Sequence, residues 1–370
     1  MSMMTAARLY EVAAPMKLEQ IPVPKPGDND VLVRVHACGI VPNLGNVLAN
    51  WPAWFPALPL PPLPATFGLD PAGEIVAVGS HVHEWAPGDR VYVNPLRVCG
   101  GCRACRSGHS IDCESFTFCG YFGRSQKSTK IFGNYPNGGL AEYMTAPQYS
   151  LVKLPDKITY NQAARFGYLG TMYSALRKGR VGPGRTVLIN GLTGTLGIGG
   201  ALLGVAMGAS RIFGTARNED LLKRVQALAP NRIEVFSVGD DRESIDEWVL
   251  SRTNGLGVDV FIDALGPGAA HEVVQQGMRS LRSGGRAYNI GGVAGPVGLD
   301  LSRMMAHGQR MEGSSWFTAG EGQDIADMVD AGSLDLSVLQ DVCFRLDEVN
   351  DAVAGFTNRD GGFTNFVVNP

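Results

Sequence analysis

The sequence has no excess of charge of either sign, and no export signal is evident in it. Its 370 residues carry a formal net charge of only -3 at pH 7. Without a basic field to attract a phosphate backbone, we expect no nucleic-acid partner. Residues 1–8 lack a charged segment followed by an apolar core, so we expect no signal peptide. With 45% hydrophobic and 18% charged residues, the composition is that of an ordinary globular protein.

Charged residues are absent from residues 186–210. The length of this run, and the G-x-x-x-G spacing of Gly200, Gly204 and Gly208, are those of a membrane-spanning helix that pairs with another. However, β-branched residues crowd its start and glycines crowd its middle, which predicts a strand, a turn and a helix start. We therefore expect no membrane partner.

Cysteine is sparse, yet four of the seven cysteines fall in one short stretch. Cys99, Cys102, Cys105 and Cys113 have the spacing C-x2-C-x2-C-x7-C. Four thiolates close a tetrahedral shell around Zn²⁺ and leave no position for a substrate, so the pattern predicts one structural zinc per chain. Disulfides would leave a seventh cysteine unpaired, and the ferredoxin-type run of an iron–sulfur cluster ends in x3-C-P rather than x7-C. Free thiols beside a zinc site suit a reducing compartment, and we expect a cytoplasmic protein.

Two kinds of secondary-structure pattern divide the chain. The first third holds short β-branched runs separated by Pro-Gly turns, which predicts an antiparallel, barrel-like lobe. From about residue 168, strands alternate with helices, which predicts a parallel, doubly wound sheet. A chain of 370 residues also exceeds what one hydrophobic core usually serves. The predicted strands of the second part are residues 186–190, 211–215, 258–263 and 285–290, and its predicted helices are residues 197–207, 220–228 and 269–281.

An apolar insert with six prolines occupies residues 51–64 and includes Trp51, Trp54 and Phe55. Proline removes hydrogen-bond donors and stiffens the chain, so the insert is predicted to be a semi-rigid loop. Two interpretations remain open. The loop is either a surface linker that packs its own aromatic rings, or the wall of a hydrophobic substrate pocket.

A glycine-rich turn follows the first strand of the second part and opens a helix. Gly191 permits a tight turn, Gly194 lets a pyrophosphate approach the backbone, and Gly197 lets the helix pack on the strand. Thr195 and Leu196 then lie at a helix N-terminus, whose free N–H groups favour phosphate. The G-x-x-G-x-x-G spacing is one residue longer than the usual dinucleotide fingerprint, but the strand before it and the helix after it support the same function.

The next strand ends in Thr215 and is followed by Arg217. A carboxylate at this tip would hold the ribose 2′-hydroxyl of NAD, and none is present. Arg217 offers a cation to a 2′-phosphate instead, so NADP(H) is favoured over NAD(H). The alternative is that Arg217 is a solvated residue and the cofactor selectivity is loose.

These patterns together resemble the medium-chain dehydrogenase/reductase superfamily, and most closely its zinc-containing alcohol dehydrogenase branch. The resemblance covers nearly the whole chain. Its sequence motifs are VHACG at residues 35–39, GEIVAVG at 73–79, GDRV at 88–91, GGLAEY at 138–143 and RSGGR at 282–286.

The resemblance implies an α/β fold with a Rossmann doubly wound parallel sheet and a β-rich, barrel-like GroES-like catalytic domain. We expect the catalytic domain at residues 1–168, with a structural-zinc lobe at about 95–115. The NADP(H)-binding Rossmann domain is expected at 169–313, and a C-terminal segment at 314–370 is expected to return to the catalytic domain. Pairing through the Rossmann sheet edge would make a homodimer or homotetramer.

Enzymes of this branch normally carry a second, catalytic zinc, and the sequence departs from their ligand pattern. The resemblance would place the three ligands at Val41, Leu69 and Gly167, and none of these side chains binds metal. We therefore expect the catalytic zinc to be absent. The usual proton relay is replaced as well, because Asn43 and Asn46 stand in its positions, and an amide does not titrate.

Without metal activation, other groups must polarise a carbonyl. Asn43 or a pocket hydroxyl could donate a hydrogen bond to the substrate oxygen, and Asp70, if desolvated, could stay protonated and supply a proton. The resemblance implies that Thr171 contacts the nicotinamide, although a helix cap is an equally good interpretation. Gly291 follows a strand whose C-terminal end should face the cofactor.

The sequence therefore predicts an NADP(H)-dependent oxidoreductase that moves a hydride between nicotinamide and a hydrophobic alcohol or carbonyl substrate. Two alternatives stay open. One is a reductase of an activated C=C bond, a quinone or an iminium, which suits a site without metal. The other is a non-catalytic nucleotide-binding protein. The cysteine lobe favours the first function, because quinone reductase-like relatives usually lack it.

Overall fold

The structure is a computed structural model that describes residues 2–239, 243–356 and 359–370. Its strands are β1 (Met3–Leu9), β2 (Lys17–Pro22), β3 (Asp30–Gly39), β4 (Ala65–Thr66), β5 (Asp70–Val78), β6 (Arg90–Val93), β7 (Leu96–Arg97), β8 (Thr117–Phe118), β9 (Tyr143–Pro147), β10 (Leu151–Lys153), β11 (Thr186–Asn190), β12 (Arg211–Ala216), β13 (Ile233–Ser237), β14 (Val258–Asp263), β15 (Leu281–Asn289), β16 (Arg310–Gly313), β17 (Gln340–Arg345) and β18 (Thr364–Asn369).

Short helices accompany the first set of strands, and longer helices alternate with the second set. The helices are α1 (Leu44–Ala49), α2 (Trp51–Trp54), α3 (Arg103–Arg106), α4 (Thr129–Asn134), α5 (Tyr160–Ala163), α6 (Phe166–Lys178), α7 (Thr195–Ala206), α8 (Glu219–Gln226), α9 (Ile245–Arg252), α10 (His271–Arg279), α11 (Leu301–His307), α12 (Ala319–Asp330) and α13 (Val349–Gly355).

The first part of the chain forms a β-rich lobe. Its main sheet has the order β10-β6-β5-β3-β18-β17, and β9 also pairs with β3. The pairs among β3, β5, β6, β9 and β10 are antiparallel, and a three-stranded sheet, β2-β1-β4, packs beside them. Apolar residues alternate along β3, where Val31, Val33 and Val35 are buried. This alternation is what folds the segment as a half-buried strand.

The second sheet has six strands in the order β13-β12-β11-β14-β15-β16, and every pair in it is parallel. Counted from β11, this is the order 3-2-1-4-5-6 of a doubly wound dinucleotide-binding sheet. The strand order reverses between β11 and β14, and the crevice at such a switch point is where ligands bind in this architecture. The predicted α/β fold class is therefore confirmed.

The C-terminal residues come back to the first lobe. β18 pairs antiparallel with β3, with Val368 opposite Cys38, and parallel with β17. The C-terminal strands β17 and β18 therefore complete the main sheet of the first lobe. The domain boundaries given above stay a prediction.

Two predicted elements differ from the structure. Residues 51–64 are not loop throughout, because α2 forms one helical turn at their start. Pro52 lies in its first turn, where a backbone N–H would have no partner within the helix, so the N–H that proline lacks is not needed. The helix predicted at residues 197–207 begins at Thr195, so Gly197 lies inside α7. Among the described residues, none of the helices has both the length and the apolar character needed to cross a bilayer.

Candidate active site

The four clustered cysteines come together in space. Cys102 is the N-cap of α3, Cys105 lies in α3, and Cys99 and Cys113 flank it in the chain. All four Sγ atoms lie within 4.8 Å of one another, with 3.5 Å between Cys102 and Cys105 and 3.6 Å between Cys99 and Cys113. Thiolates on a tetrahedral zinc, with Zn–S bonds of about 2.3 Å, lie about 3.8 Å apart. The donor set and its spacing therefore fit a zinc ion.

Backbone N–H groups point at these sulfurs. The amide of Cys102 donates to Cys99 Sγ at 3.4 Å, and the amide of Cys99 donates to Cys113 Sγ at 3.5 Å. Hydrogen bonds from the backbone N–H of Cys105 and from the neighbouring thiols lower the pKa of the Cys102 thiol to about 6, whereas burial raises the pKa of the Cys105 thiol to about 12. Donors of this kind favour thiolate, which is the ligand form of cysteine.

Within residues 2–239, 243–356 and 359–370, this is the one group of three or more His, Cys, Asp or Glu side chains that could hold a metal. Val41 and Leu69 are buried apolar residues, with 4% and 3% exposure. A Cβ atom added at Gly167 would lie 2.2 Å from Oδ1 of Asp70. The Asp70 carboxyl therefore fills the space that any side chain at position 167 would need.

Asp70 follows Leu69 in the chain and lies against Gly167, and it is only 1% exposed. The Tyr92 hydroxyl donates to its Oδ1 at 2.8 Å, while Oδ2 has no partner among the described residues. Burial raises the pKa of Asp70 to about 7, although the bond from Tyr92 and the charge of Arg165 oppose the rise. Near neutral pH this carboxyl therefore exchanges between its neutral and charged forms.

Asn43 stands at the N-terminus of α1, but its side chain does not cap that helix. Its Oδ1 accepts a hydrogen bond from Asn46 Nδ2 at 3.0 Å. Its side-chain amide faces the Tyr121 hydroxyl and its backbone N–H faces the Tyr168 hydroxyl, and each contact lowers the pKa of that phenol against the larger effect of burial. Asn43 therefore lies between two phenols, and Asn46 orients it.

The predicted glycine turn is tightly packed. Gly191 has a φ of +77°, a conformation that favours glycine. A Cβ at Gly197 would lie 2.2 Å from the Gly191 carbonyl oxygen. Gly362 of the C-terminal segment covers the turn, since its Cβ would lie 2.2 Å from Gly194 O and its N–H donates to Thr193 O at 2.8 Å. Glycine is thus required on both sides of this backbone.

The helix that follows the turn is long enough to present a phosphate site. α7 begins at Thr195, with Gly194 as its N-cap and no side chain capping it. Thr195 is buried with its Oγ1 unpartnered among the described residues, and Leu196 next to it is half-buried. An orphaned hydroxyl and uncapped N–H groups beside a glycine turn fit the pyrophosphate of a dinucleotide.

Polar residues line the carboxyl edge of the parallel sheet. Thr215 pairs with Asn190 in register and its hydroxyl donates to Asn190 Oδ1 at 2.7 Å. Asp263 also pairs with Asn190, is 2% exposed, and keeps Oδ1 unpartnered among the described residues. Burial raises the pKa of Asp263 to about 6. Arg217 follows β12 with an exposed side chain that makes no ion pair with a described residue.

Thr171 and Gly291 are the two further residues predicted to contact the cofactor. Thr171 is in the interior of α6, with its hydroxyl donating to Gly167 O at 2.8 Å, so the helix-cap interpretation is wrong. Gly291 donates its N–H to Asp263 O at 3.0 Å, and a Cβ there would lie 2.4 Å from Leu265 O. Their roles toward a cofactor stay predictions.

The aromatic insert packs beside this site. The Trp51 ring stacks on Phe122 with 4.2 Å between ring centroids, and Tyr121 precedes Phe122 in the chain. Trp54 and Phe55 stay 52% and 43% exposed. The insert is therefore joined to the turn that carries Tyr121, and it also leaves apolar rings open to solvent.

Sequence reasoning missed several polar groups that the fold brings to the site. No motif singled out Tyr92, Tyr121, Tyr168 or Arg165, because they come from three separate segments: β6, the turn after β8 and the start of α6. The signal that was available is Asp70, since a carboxyl expected in an apolar pocket requires polar neighbours.

Comparison with known proteins agrees with the geometry. Residues 27–156 match the family model described as alcohol dehydrogenase GroES-like domain, and residues 195–331 match the one described as zinc-binding dehydrogenase. The uncharacterized zinc-type alcohol dehydrogenase-like protein YphC of Escherichia coli (strain K12) is 31% identical over 307 residues, which is 82% of this chain and 81% of that protein.

Two further similarities extend the comparison. L-threonine 3-dehydrogenase of Pyrococcus abyssi is 30% identical over 292 residues, 78% of this chain and 76% of that protein. The crystal structure of AibC superposes with a TM-score of 0.83 at 27% identity and covers 100% of this chain and 96% of that one. The similarity thus extends over both sheets.

Proposed function

This chain belongs to the zinc-type alcohol dehydrogenase-like branch of the medium-chain dehydrogenase/reductase superfamily and is an oxidoreductase of that type, and we propose that it is an NADP(H)-dependent enzyme that acts on a hydrophobic alcohol or carbonyl substrate without a catalytic zinc. The observation that carries the proposal is the Asp70 carboxyl, which fills the space beside Gly167. It stands where the expected metal ligands are replaced by Val41, Leu69 and Gly167.

A structural zinc on the four cysteines is part of the proposal. Cys99, Cys102, Cys105 and Cys113 would hold it, and a closed shell of four thiolates would stabilise the loop without taking part in the reaction. Support comes from the Sγ separations and from the backbone N–H groups that point at the sulfurs.

The proposed preference of the enzyme for NADP(H) over NAD(H) rests on the residues at the end of β12. A bound nicotinamide cofactor supplies or accepts the hydride. Gly191, Gly194 and the N-terminus of α7 would hold its pyrophosphate. Thr215 and Arg217 follow along the sheet edge, and Arg217 is exposed and free of an ion pair with a described residue, so it is available to a 2′-phosphate.

The substrate site would lie between Asn43, Asp70 and the aromatic insert. Asn43 is oriented by Asn46 and can direct hydrogen bonds to a substrate oxygen. Burial raises the pKa of Asp70 to about 7, so its carboxyl can hold a proton near neutral pH. The rings of Trp51 and Phe122 would bound the apolar side of the pocket, which suits a hydrophobic substrate.

We extend the proposal to the surroundings of the enzyme. Its partners would be a small hydrophobic substrate and a second or further copy of the chain, with β16 at the open edge of the parallel sheet as the pairing element. Nucleic acid and membrane are not proposed as partners. A cytoplasmic location is proposed because reduced thiols suit the cysteine cluster.

A second candidate is reduction of an activated C=C bond, a quinone or an iminium. The apolar residues Val41 and Leu69 favour it, because a conjugated substrate requires less metal activation than a simple ketone. A non-catalytic nucleotide-binding protein is the third possibility, and the similarity of the chain to dehydrogenases over both parts of its sequence favours an enzyme over it.

One experiment separates these functions. NADPH absorbance is followed with cyclohexanone, acetophenone, benzyl alcohol (with NADP⁺), cyclohexenone, benzoquinone and pyrroline, alongside metal analysis of the purified protein. Turnover of the ketones or the alcohol at one zinc per chain supports the proposal. Turnover of the enone, quinone or imine alone supports the second function, and NADPH binding without turnover supports the third.

A further inference from the structure

Arg165 is a buried cation with an unusual set of partners. It is 5% exposed, and its guanidinium donates to the carbonyl oxygens of Thr364, Thr195 and Gly362. No carboxylate among the described residues forms an ion pair with it. Its charge is therefore held in place by backbone carbonyls beside the glycine turn and is left without a counter-ion in direct contact.

Tyr168 lies one helical turn from this cation. Arg165 is the N-cap of α6 and Tyr168 is in the first turn, three residues on, so their side chains share one face of the helix. Thr171 continues the same stripe. Tyr168 is only half-buried, whereas Arg165 and Thr171 are buried, so part of its side chain is accessible to solvent. The helix therefore places a phenol between the pyrophosphate turn and the predicted nicotinamide contact.

Tyr121 reaches the same point from a different segment. The turn that carries it is packed through glycines: Gly120 has a φ of +68°, and its Cβ would lie 2.8 Å from Gly68 O. The N–H of Gly68 also donates to Gly120 O at 3.0 Å. Since Gly68 is two residues before Asp70, this contact holds the turn that carries Tyr121 beside the segment that carries the buried carboxyl.

The hydroxyls of Tyr121 and Tyr168 can both act as hydrogen-bond donors to a ligand. Asn43 faces the oxygen of each as a donor, through its side-chain amide for Tyr121 and its backbone N–H for Tyr168. Neither hydroxyl donates to an acceptor among the described residues. By contrast, the hydroxyl of Tyr92 donates a hydrogen bond to Asp70, and the hydroxyl of Tyr173 donates one to Asp324.

We propose that Tyr121 and Tyr168 are catalytic residues that together donate hydrogen bonds to the oxygen of the substrate carbonyl, and that Arg165 is a positioning residue whose charge stabilises the phenolate that forms at Tyr168. This inference rests on the proposed function and names the groups that act in place of a metal. Two phenols and a buried cation then supply the electrostatic activation of the carbonyl.

Reduction of the carbonyl combines a hydride transfer with a proton transfer. The hydride of NADPH forms a C–H bond at the carbonyl carbon, and the C=O π electrons move to oxygen. The O–H bond of Tyr168 breaks as its proton moves to that oxygen, which leaves alcohol, NADP⁺ and a phenolate. Burial and Asp70 raise the pKa of Tyr168, while Arg165 and Arg359 lower it, so the phenol is protonated before the step. Solvent returns the proton, because Tyr168 is half-buried.

Tyrosine-to-phenylalanine variants of the full-length protein test the proposal. With the panel member that the wild type reduces fastest, Tyr168→Phe is expected to lower kcat by about 100-fold or more, since general acid catalysis contributes about 10² to 10⁴. Tyr121→Phe is expected to lower kcat by about 100-fold through loss of one donor. The affinity for NADPH, measured by fluorescence titration, is expected to stay within about twofold of wild type, because neither hydroxyl is proposed to touch the cofactor phosphates.

Tyr173→Phe is the matched control, because it lies on the same helix and its hydroxyl is bonded to Asp324 at 3.0 Å, away from the site. Its kcat is expected to equal that of wild type. For Arg165, kcat should fall in Arg165→Met and recover in Arg165→Lys, which restores the charge but not the bidentate fork. If the role of Arg165 were purely structural, kcat would fall equally in Arg165→Met and Arg165→Lys.

The outcomes separate this inference from the function it rests on. If the enone or quinone is the only substrate turned over, the proposed function is wrong, and a Tyr168→Phe loss on that substrate still supports the phenols as donors to its oxygen. A Tyr168→Phe variant within about threefold of wild-type kcat overturns the inference whatever the substrate. Turnover confined to the imine, or no turnover at all, overturns both.

Discussion

Replacing Asp70 with asparagine isolates the charge of the buried carboxyl. Burial raises the pKa of Asp70 from 3.8 to about 7. Between these pH values the folded chain holds a proton that the unfolded chain has released, so the free energy of unfolding falls as the pH rises through this window. At about 1.4 kcal/mol per pKa unit, the loss between about pH 5 and about pH 8 is about 2 to 3 kcal/mol.

The asparagine variant lacks this titration. Its amide nitrogen, if it takes the position of the unpartnered Oδ2, lacks an acceptor and costs about 1 to 3 kcal/mol at every pH. The difference between the two pH values therefore contains the charge contribution alone. Urea unfolding followed by tryptophan fluorescence at about pH 5 and about pH 8 measures it. Wild type is expected to lose about 2 to 3 kcal/mol more than Asp70→Asn between these pH values.

Asp259→Asn provides the matched control. Although burial raises the pKa of Asp259, hydrogen bonds from Thr186 and Arg185 lower it below its ordinary value. Asp259 is thus ionised from about pH 5 to about pH 8 in both the folded and unfolded states, and its asparagine variant should be destabilised equally at both values. If Asp70→Asn shows the same pH dependence as wild type, Asp70 is not the buried neutral acid described above.

Three further predictions concern the cofactor and the metal. Metal analysis is expected to find one zinc per chain, reduced in Cys102→Ser, and two zinc ions per chain in the wild type would contradict the loss of the catalytic site. Arg217→Ala is expected to weaken NADPH binding about 10- to 100-fold in fluorescence titration and to leave NADH binding unchanged, whereas an equal change for both cofactors would remove Arg217 from 2′-phosphate recognition. Gly197→Ala is expected to abolish NADPH binding and lower the melting temperature, because its Cβ would lie 2.2 Å from Gly191 O. Its control, Gly133→Ala, meets no atom within 4 Å and should match wild type in both measurements.

Local sequence signals account for most of the fold. The runs around Val33 and Ile189 formed strands because β-branched residues suit a pleated, buried backbone. The turn at Gly191 was predictable because glycine, which lacks a Cβ atom, tolerates the positive φ that the turn requires. The helical turn at Trp51 does not follow from the proline content of the insert, because proline breaks most helices but is tolerated in the first turn of a helix.

The candidate site was only partly predictable for a different reason. Asp70 and Asn43 could be singled out because they stand at positions where the family resemblance expects other residues. Tyr121 and Tyr168 could not, since no local pattern says which hydroxyls will share one amide.

The sequence by itself determined the elements, the cysteine ligand set and the glycine turn, because each depends on residues close together in the chain. Only the tertiary structure decided that the carboxyl of Asp70 fills the space beside Gly167, and that Arg165 is buried and forms no ion pair with a described residue. Burial and charge are properties of neighbours that come from distant segments, and the pKa of Asp70 follows from them. The acid–base character of this site is therefore determined by the tertiary structure, whereas the residue types at the site are determined by the sequence.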